Sequence, residues 1–412
     1  MAAGLFMGIH SQPEYMNELK AHLRPLTAAT IGVAFGLSIN NYTASLFGAH
    51  LVGEFGWARA EFAKITIYAL ILLPLFPLLG RLTDLKGVRF VAALGVIGMP
   101  LTMVAFSQMT GDLNLFFAIN LAQLICGACL TSTVFNRVVA ERFTLARGIA
   151  FAIIMSGPPL TGGIAVWALD PVIGEYGWRG GYLFMGALIF LFGLLSLILL
   201  PAKSPPKAKP ATAKRDYSLI ARSPVFWLAS LGMLLCNIPQ ALGSNQLMLM
   251  LQENGVPLTA SIYVSLYPFG VFFGRFLTGA ALDRFPTHIV GAIGLALPAI
   301  GFAILASPYD GALLLGFAVL LMGLAQGAEG DVAAYAVARH FPLAIFATVM
   351  GPVNAATAVG ASLGGLVLVP MLGHFGNYGP FLVVSVIVTL IGAITLFMLG
   401  RYPMLDQESP IP

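Results

Sequence analysis

One basic and two acidic side chains sit where charge is expensive. Arg275, Glu329 and Asp331 each interrupt a long apolar run. Counted back from the polar turns at Asp283 and Arg339, Arg275 and Asp331 lie roughly 12 Å into their runs and Glu329 roughly 15 Å, at 1.5 Å per helical residue. A charge at mid-membrane costs about 2.5–3.5 kcal/mol on insertion scales, so each needs a compensating environment. That environment is either a water-filled binding cavity or a structural ion pair between the two runs. A guanidinium suits an anion site, because it stays charged and its planar fork makes two parallel bonds to one carboxylate. Glu329 and Asp331 are two residues apart, about 200° around a helix, so they face different neighbours; the spacing leaves open which one faces Arg275. One arginine with two ionised acids repels an incoming anion. Protonation of one acid removes that repulsion, and burial favours the neutral form of an acid. Proton–anion symport, with Glu329 or Asp331 carrying the proton, is the resulting expectation. Tyr267, two turns before Arg275, and Asn40, Asn41, Tyr42 and Asn354 in two further runs are expected to complete a substrate site.

The elements that hold these groups follow from composition. Apolar residues make up 58% of the 412 and charged residues only 9%, against roughly 25% charged in a soluble domain. So few charges cannot cover a water-exposed surface. Twelve apolar runs are long enough to cross a bilayer, at about 20 residues each. They lie near 26–51, 61–82, 88–108, 114–138, 148–170, 181–201, 225–251, 259–281, 288–306, 312–337, 345–371 and 380–400. The expected fold is an all-α membrane protein of twelve transmembrane helices in two six-helix bundles related by a pseudo-two-fold axis. The segments are 1–24 as a cytoplasmic N-terminal stretch, 25–201 as the first bundle, 202–223 as a linker, 224–401 as the second bundle and 402–412 as a tail. With the N-terminus inside, lysines and arginines concentrate in the cytoplasmic turns and the linker. Arg59, Lys64 and Arg179 fall on the other face. This asymmetry obeys the positive-inside rule, with both termini cytoplasmic. No basic stripe with interleaved aromatics suits nucleic acid, and no HExxH motif or His–acid cluster suits an enzyme. Neither a cofactor nor a metal is expected; Cys126 and Cys129 have C-x-x-C spacing but no further ligand near them in sequence.

The halves repeat. Glu54/Glu253, Gly56/Gly255 and Glu175/His374 are each 199 residues apart. So are Gly80 and Gly279, each followed four residues on by an acid, Asp84 and Asp283. The glycines let another helix approach, and the carboxylates suit a helix N-terminus or an arginine. A conformational latch is expected from Gly80, Asp84, Arg89, Gly279, Asp283 and Arg284, with Arg142, Arg147 and Arg339 as further partners. The plain alternative for Asp84 is a turn residue.

Gly80-x-x-x-Asp84-x-x-Gly87-x-Arg89, repeated more weakly at Gly279, resembles the loop signature of the major facilitator superfamily, and the resemblance covers the whole chain. Where the signature has an arginine after its first aspartate, this chain has Leu85. Glu54-Phe-Gly-Trp57-Ala-Arg59, Arg142-Phe-Thr-Leu-Ala-Arg147-Gly148, Arg275, and Gly327-Ala-Glu329-Gly-Asp331 leading to Arg339 resemble the bacterial monocarboxylate-transporter and oxalate/formate-antiporter group. That resemblance implies a secondary active transporter in a bacterial plasma membrane, with Arg275 on the substrate carboxylate. Small aliphatic acids and aromatic acids both fit. The lysines related transporters carry in the first or eleventh span are absent here, which favours a monoanion over a dianion. The implied partners are a small carboxylate, protons and membrane lipid. An anion or drug exchanger, or a transporter-like receptor, are the alternatives.

Overall fold

The computed structural model describes residues 12–143, 145–201, 220–257, 261–282, 284–308, 311–341 and 345–402. In lipid the backbone must satisfy its own polar groups, and helix does so within one segment. Among the described residues, each of the twelve apolar runs falls mainly on helix. In the first half these are α1 (Gln12–Ala21), α2 (Leu23–Ala34), α3 (Leu37–Phe55), α4 (Arg59–Ala63) and, after a 3-10 stretch over Lys64–Ile71, α5 (Leu72–Lys86). There follow α6 (Val88–Ser107), α7 (Leu113–Ala128), α8 (Ser132–Arg142) and α9 (Arg147–Leu199). The second half holds α10 (Pro224–Asn237), α11 (Leu247–Glu253), α12 (Ile262–Leu282), α13 (Thr287–Ala306), α14 (Ala312–His340), α15 (Phe346–Phe375) and α16 (Gly379–Phe397). Among the described residues, 7 helical stretches are long and apolar enough to cross a membrane without interruption, and Ile149–Leu199, at 51 residues, is long enough for two crossings. Several of the other runs are broken partway, as at Phe35–Gly36 between α2 and α3, and at a π turn, Leu242–Gln246, between α10 and α11.

The 199-residue repeat is visible in the backbone. Val88–Ser107 and Thr287–Ala306 have the same 20-residue length at that offset. Gly56 and Gly255 both have positive φ, 64° and 78°, and so do Gly177 and Gly376, 68° and 72°. These are left-handed turns that a Cβ would strain. Gly177 bends α9 between its two crossings.

The chain divides into two compact units, the described residues of Met1–Asn41 with Pro74–Ala208, and those of Tyr42–Leu73 with Lys209–Pro412. The stretch from 42 to 73 therefore packs with the second half of the sequence. In the first unit α2 lies on α9 and α6 on α7 and α9. Thr161 donates to the Ala34 carbonyl at 3.0 Å and Ser196 to Ala28 at 2.7 Å. α1 is fastened there by Glu18, whose carboxylate accepts the Leu145 and Ala146 N–H groups at 3.0 and 2.7 Å. In the second unit Met233, Val332, Ala336, Val353 and Leu396 form part of a common core. Ile220, within the stretch expected as the linker, belongs to it at 3% exposure. The linker's residues 202–219 lie outside the described set, as does the tail from 403. Large apolar side chains left exposed, such as Leu313, Trp167 and Ile293, are the lipid-facing surface that the composition demands.

Candidate functional site

The site is built on a glycine seam between α12 and α14. A Cβ on Gly270 would sit 2.7 Å from the Leu320 carbonyl oxygen, and one on Gly274 would sit 2.1 Å from that of Leu324. From the other side, Gly323 meets the Tyr267 carbonyl at 2.2 Å and Gly327 the Val271 carbonyl at 2.2 Å. The backbones touch because these four positions lack side chains. The Gly-x-x-x-Gly spacing, present in both runs, is the sequence signal for such a contact.

This seam sets the rotation of both helices. Arg275 follows Gly274, and Asp331 lies one turn beyond Gly327. Arg275 Nη1 stands 3.9 Å from Asp331 Oδ1, with the two side chains 21% and 30% exposed. That is a loose pair. Arg275 Nε is buried and has no hydrogen-bond partner among the described residues. The other acid turns away. Glu329 Oε1 accepts from Asn237 Nδ2 of α10 at 2.8 Å, and the same nitrogen reaches the Met233 carbonyl at 2.8 Å. The two-residue offset thus sends Asp331 to α12 and Glu329 to α10.

Tyr267 is buried, and its hydroxyl donates to Gln240 Oε1 at 3.0 Å, with Gln326 Oε1 3.4 Å away. Gln240, Tyr267, Gln326 and Glu329 line one pocket with Cys236 and Pro298, of about 30 Å³. That is room for about two waters, at ~10–15 Å³ each. Gln326 is a lining residue that the sequence reading missed; it lies one turn before Glu329 on the same helix. Tyr42, which packs in this second unit, has its ring 6.3 Å from that of Tyr267.

The other expected substrate residues are placed differently. Asn40 exchanges two hydrogen bonds with Gln123 of α7, at 3.1 and 3.2 Å, inside the first unit. Its buried amide ties two helices together within that unit. Asn41 and Asn354 are exposed, and the Asn354 carbonyl accepts from Thr357 at 2.7 Å. Truncating either partner of the Asn40–Gln123 pair removes two buried amide hydrogen bonds, at a cost of about 1–2 kcal/mol. Thermal unfolding of Asn40→Ala, Gln123→Ala and the double variant checks this, and the double variant is expected to lose less than the sum.

At the glycines of the expected latch, a Cβ on Gly80 or Gly279 would meet no atom of the described residues within 4 Å. The side chains of Asp84 and Arg147 and all of Asp283 lie outside the described residues. Arg89, Arg284 and Arg339 are exposed, and Arg142 is half-buried.

Comparison with known proteins places this geometry in context. A family model described as Major Facilitator Superfamily matches residues 27–364. The chain is 25% identical over 303 residues to the MFS transporter asaE of Aspergillus flavus, covering 72% of this chain and 66% of that protein, just under two thirds of its length. It is 26% identical over 317 residues to the agnestins efflux protein AgnL12 of Paecilomyces divaricatus, covering 72% and 69%. It is 25% identical over 344 residues to MFS-type transporter 1 of an Ophiocordyceps species, covering 78% and 72%. Among solved structures, the nucleoside transporter NupG superposes with a TM-score of 0.72 at 16% identity, over 92% of this chain and 98% of its own. A bacterial homologue of the human lysosomal transporter Spinster, inward-facing and unoccupied, gives 0.69 at 17%, over 95% and 98%. At such identities the structural likeness speaks to fold. The three sequence relatives are fungal, and they lend no support to the bacterial membrane and monocarboxylate subgroup expected from the motifs.

Proposed function

This chain belongs to the Major Facilitator Superfamily, and on that footing we propose that it is a secondary active transporter of an organic monocarboxylate, coupled to protons and working by alternating access. The observation that carries this reading is the state of Arg275. Its ion pair is loose and its Nε is buried without a partner, so a guanidinium at membrane depth still has donors to offer. A carboxylate supplies two acceptors in the geometry that fork requires. The anion competes with Asp331 for the guanidinium, and the displaced acid is then best neutralised by a proton. Glu329, held apart by Asn237 beside a pocket sized for water, is the second candidate carrier. Substrate is released when the proton leaves and Asp331 reclaims Arg275.

A second reading, export or exchange of a larger organic anion, is favoured by one relative's description as an efflux protein. The same guanidinium serves either cargo. Counterflow against a trans anion without a proton gradient separates exchange from symport.

The first experiment is a thermal-shift screen of the purified protein against small aliphatic and aromatic monocarboxylates at two pH values. A ligand at a hundred times its Kd adds about 2.7 kcal/mol to the folded state. For a chain of this size that raises Tm by about 3 °C. A larger shift at the lower pH is expected for proton-coupled binding. No shift with any carboxylate at either pH would sink the monocarboxylate reading.

A further inference from the structure

A second cluster of polar groups lies away from Arg275, where the α3–α4 turn, the end of α11 and the start of α16 meet. Arg59 Nη1 pairs with Glu253 Oε1 at 3.0 Å, with side chains 34% and 22% exposed. The other oxygen of the same carboxylate, Oε2, accepts the Tyr378 N–H at 3.0 Å. Tyr378 caps the N-terminus of α16, so Glu253 also meets the positive end of that helix. The Arg59 guanidinium stands 5.9 Å from the Tyr378 ring centroid, within cation–π range. The buried Tyr378 hydroxyl donates to Gln246 Oε1 at 2.7 Å. One carboxylate thereby joins three turns, those between spans 1 and 2, 7 and 8, and 11 and 12. By alternation of the spans these turns share one membrane face, opposite the termini.

This cluster accounts for a feature that chain order does not. Residues 42–73 come from the first half of the sequence yet pack with 209–412. Below the cluster the same segment is closely seated: a Cβ on Gly365 would lie 2.0 Å from Thr66 Oγ1, and one on Gly373 would lie 4.0 Å from Ala60 Cβ. We propose that Arg59, Glu253 and Tyr378 form a clamp that holds segment 42–73 against the second half of the chain, and that this clamp opens when the carrier exposes its site on the face opposite the termini.

A half-exposed ion pair is weak alone. Only the Arg59 contacts cross from segment 42–73 to the second half; the Glu253–Tyr378 bond lies within that half and holds the carboxylate in place for them, which suits a gate that biases an equilibrium and still releases. The clamp also shares an interrupted span with the candidate site. Gln246 ends the π turn that follows α10, and Gln240, just before that turn, takes the Tyr267 hydroxyl. The clamp does not depend on the identity of the cargo.

Spin labels at Glu61→Cys and His374→Cys, both at exposed positions beside the clamp, read its opening. The full chain is reconstituted in nanodiscs with Cys126, Cys129 and Cys236 replaced by alanine. The parent is expected to show a predominant short distance. Arg59→Ala and Glu253→Gln each shift the ratio of longer to shorter distances upward by about tenfold, within the usual range of conformational coupling, and Arg59→Lys shifts it less. Glu253→Gln keeps an acceptor for the Tyr378 N–H and so reads the charge alone. Unchanged distributions in both Arg59→Ala and Glu253→Gln overturn the clamp. So does a lowered melting temperature with the distances unchanged, which marks a purely structural contact.

Discussion

Arg275→Ala is expected to abolish the thermal response to carboxylates and to cut uptake into proteoliposomes by about a hundredfold or more. Removing one partner of a buried, hydrogen-bonded charge pair costs about 2–5 kcal/mol, and every 1.4 kcal/mol is about tenfold in affinity. Arg275→Lys keeps the charge but loses the planar fork, so it should retain a fraction of the binding. Asp331→Asn acts in the opposite direction. It removes the carboxylate 3.9 Å from Arg275, so the anion meets less competition and binds more tightly, while release slows and the pH dependence weakens. The alanine variant also leaves Asp331 unpaired, so its folding is checked by size-exclusion profile and melting temperature. A folded Arg275→Ala protein with the parent's carboxylate response would remove the basis for an anion site here.

The second large effect is mechanical. Gly274→Leu or Gly327→Leu is expected to lower the melting temperature sharply or prevent folding. At these positions even a Cβ falls 2.1 or 2.2 Å from a carbonyl oxygen of the facing backbone, and no side-chain rotation relieves that. Overpacking typically costs about 1–3 kcal/mol, and here two helices must move apart. Their separation also moves Arg275 from Asp331, so a variant that survives should bind anions differently. Gly80→Ala and Gly279→Ala provide the contrast. Both sites lie within helices and face open space, so alanine should be neutral or stabilising by up to about 1 kcal/mol. Fluorescence-detected melting of the four variants side by side tests the difference. Equal tolerance at all four positions would mean that the seam does not set the helix spacing.

Much of this molecule is readable from local chemistry. Helices in lipid follow from an apolar composition with few charges. The 199-residue repeat follows from matched polar residues at loop positions, and the paired left-handed glycines 56/255 and 177/376 carry it in the backbone. The opposite facing of Glu329 and Asp331 follows from helical rotation alone. Gly80 and Gly279 show where such reading stops: they match as a motif, but a motif does not say whether another helix is near. Asn40 was equally ambiguous, since a mid-span amide serves a cavity and a helix contact alike until its partner, Gln123, is known.

By itself the amino-acid sequence determined that this chain crosses a membrane as a duplicated set of helices and that one arginine and two acids stand inside it. Hydropathy and helical period are properties of neighbours along the chain. Only the tertiary structure decided that Asp331 rather than Glu329 meets Arg275, that Glu329 turns to Asn237, and that residues 42–73 pack with the second half. Those outcomes depend on how far apart two backbones rest and how each is rotated. Glycines and carbonyl oxygens remote in sequence set both.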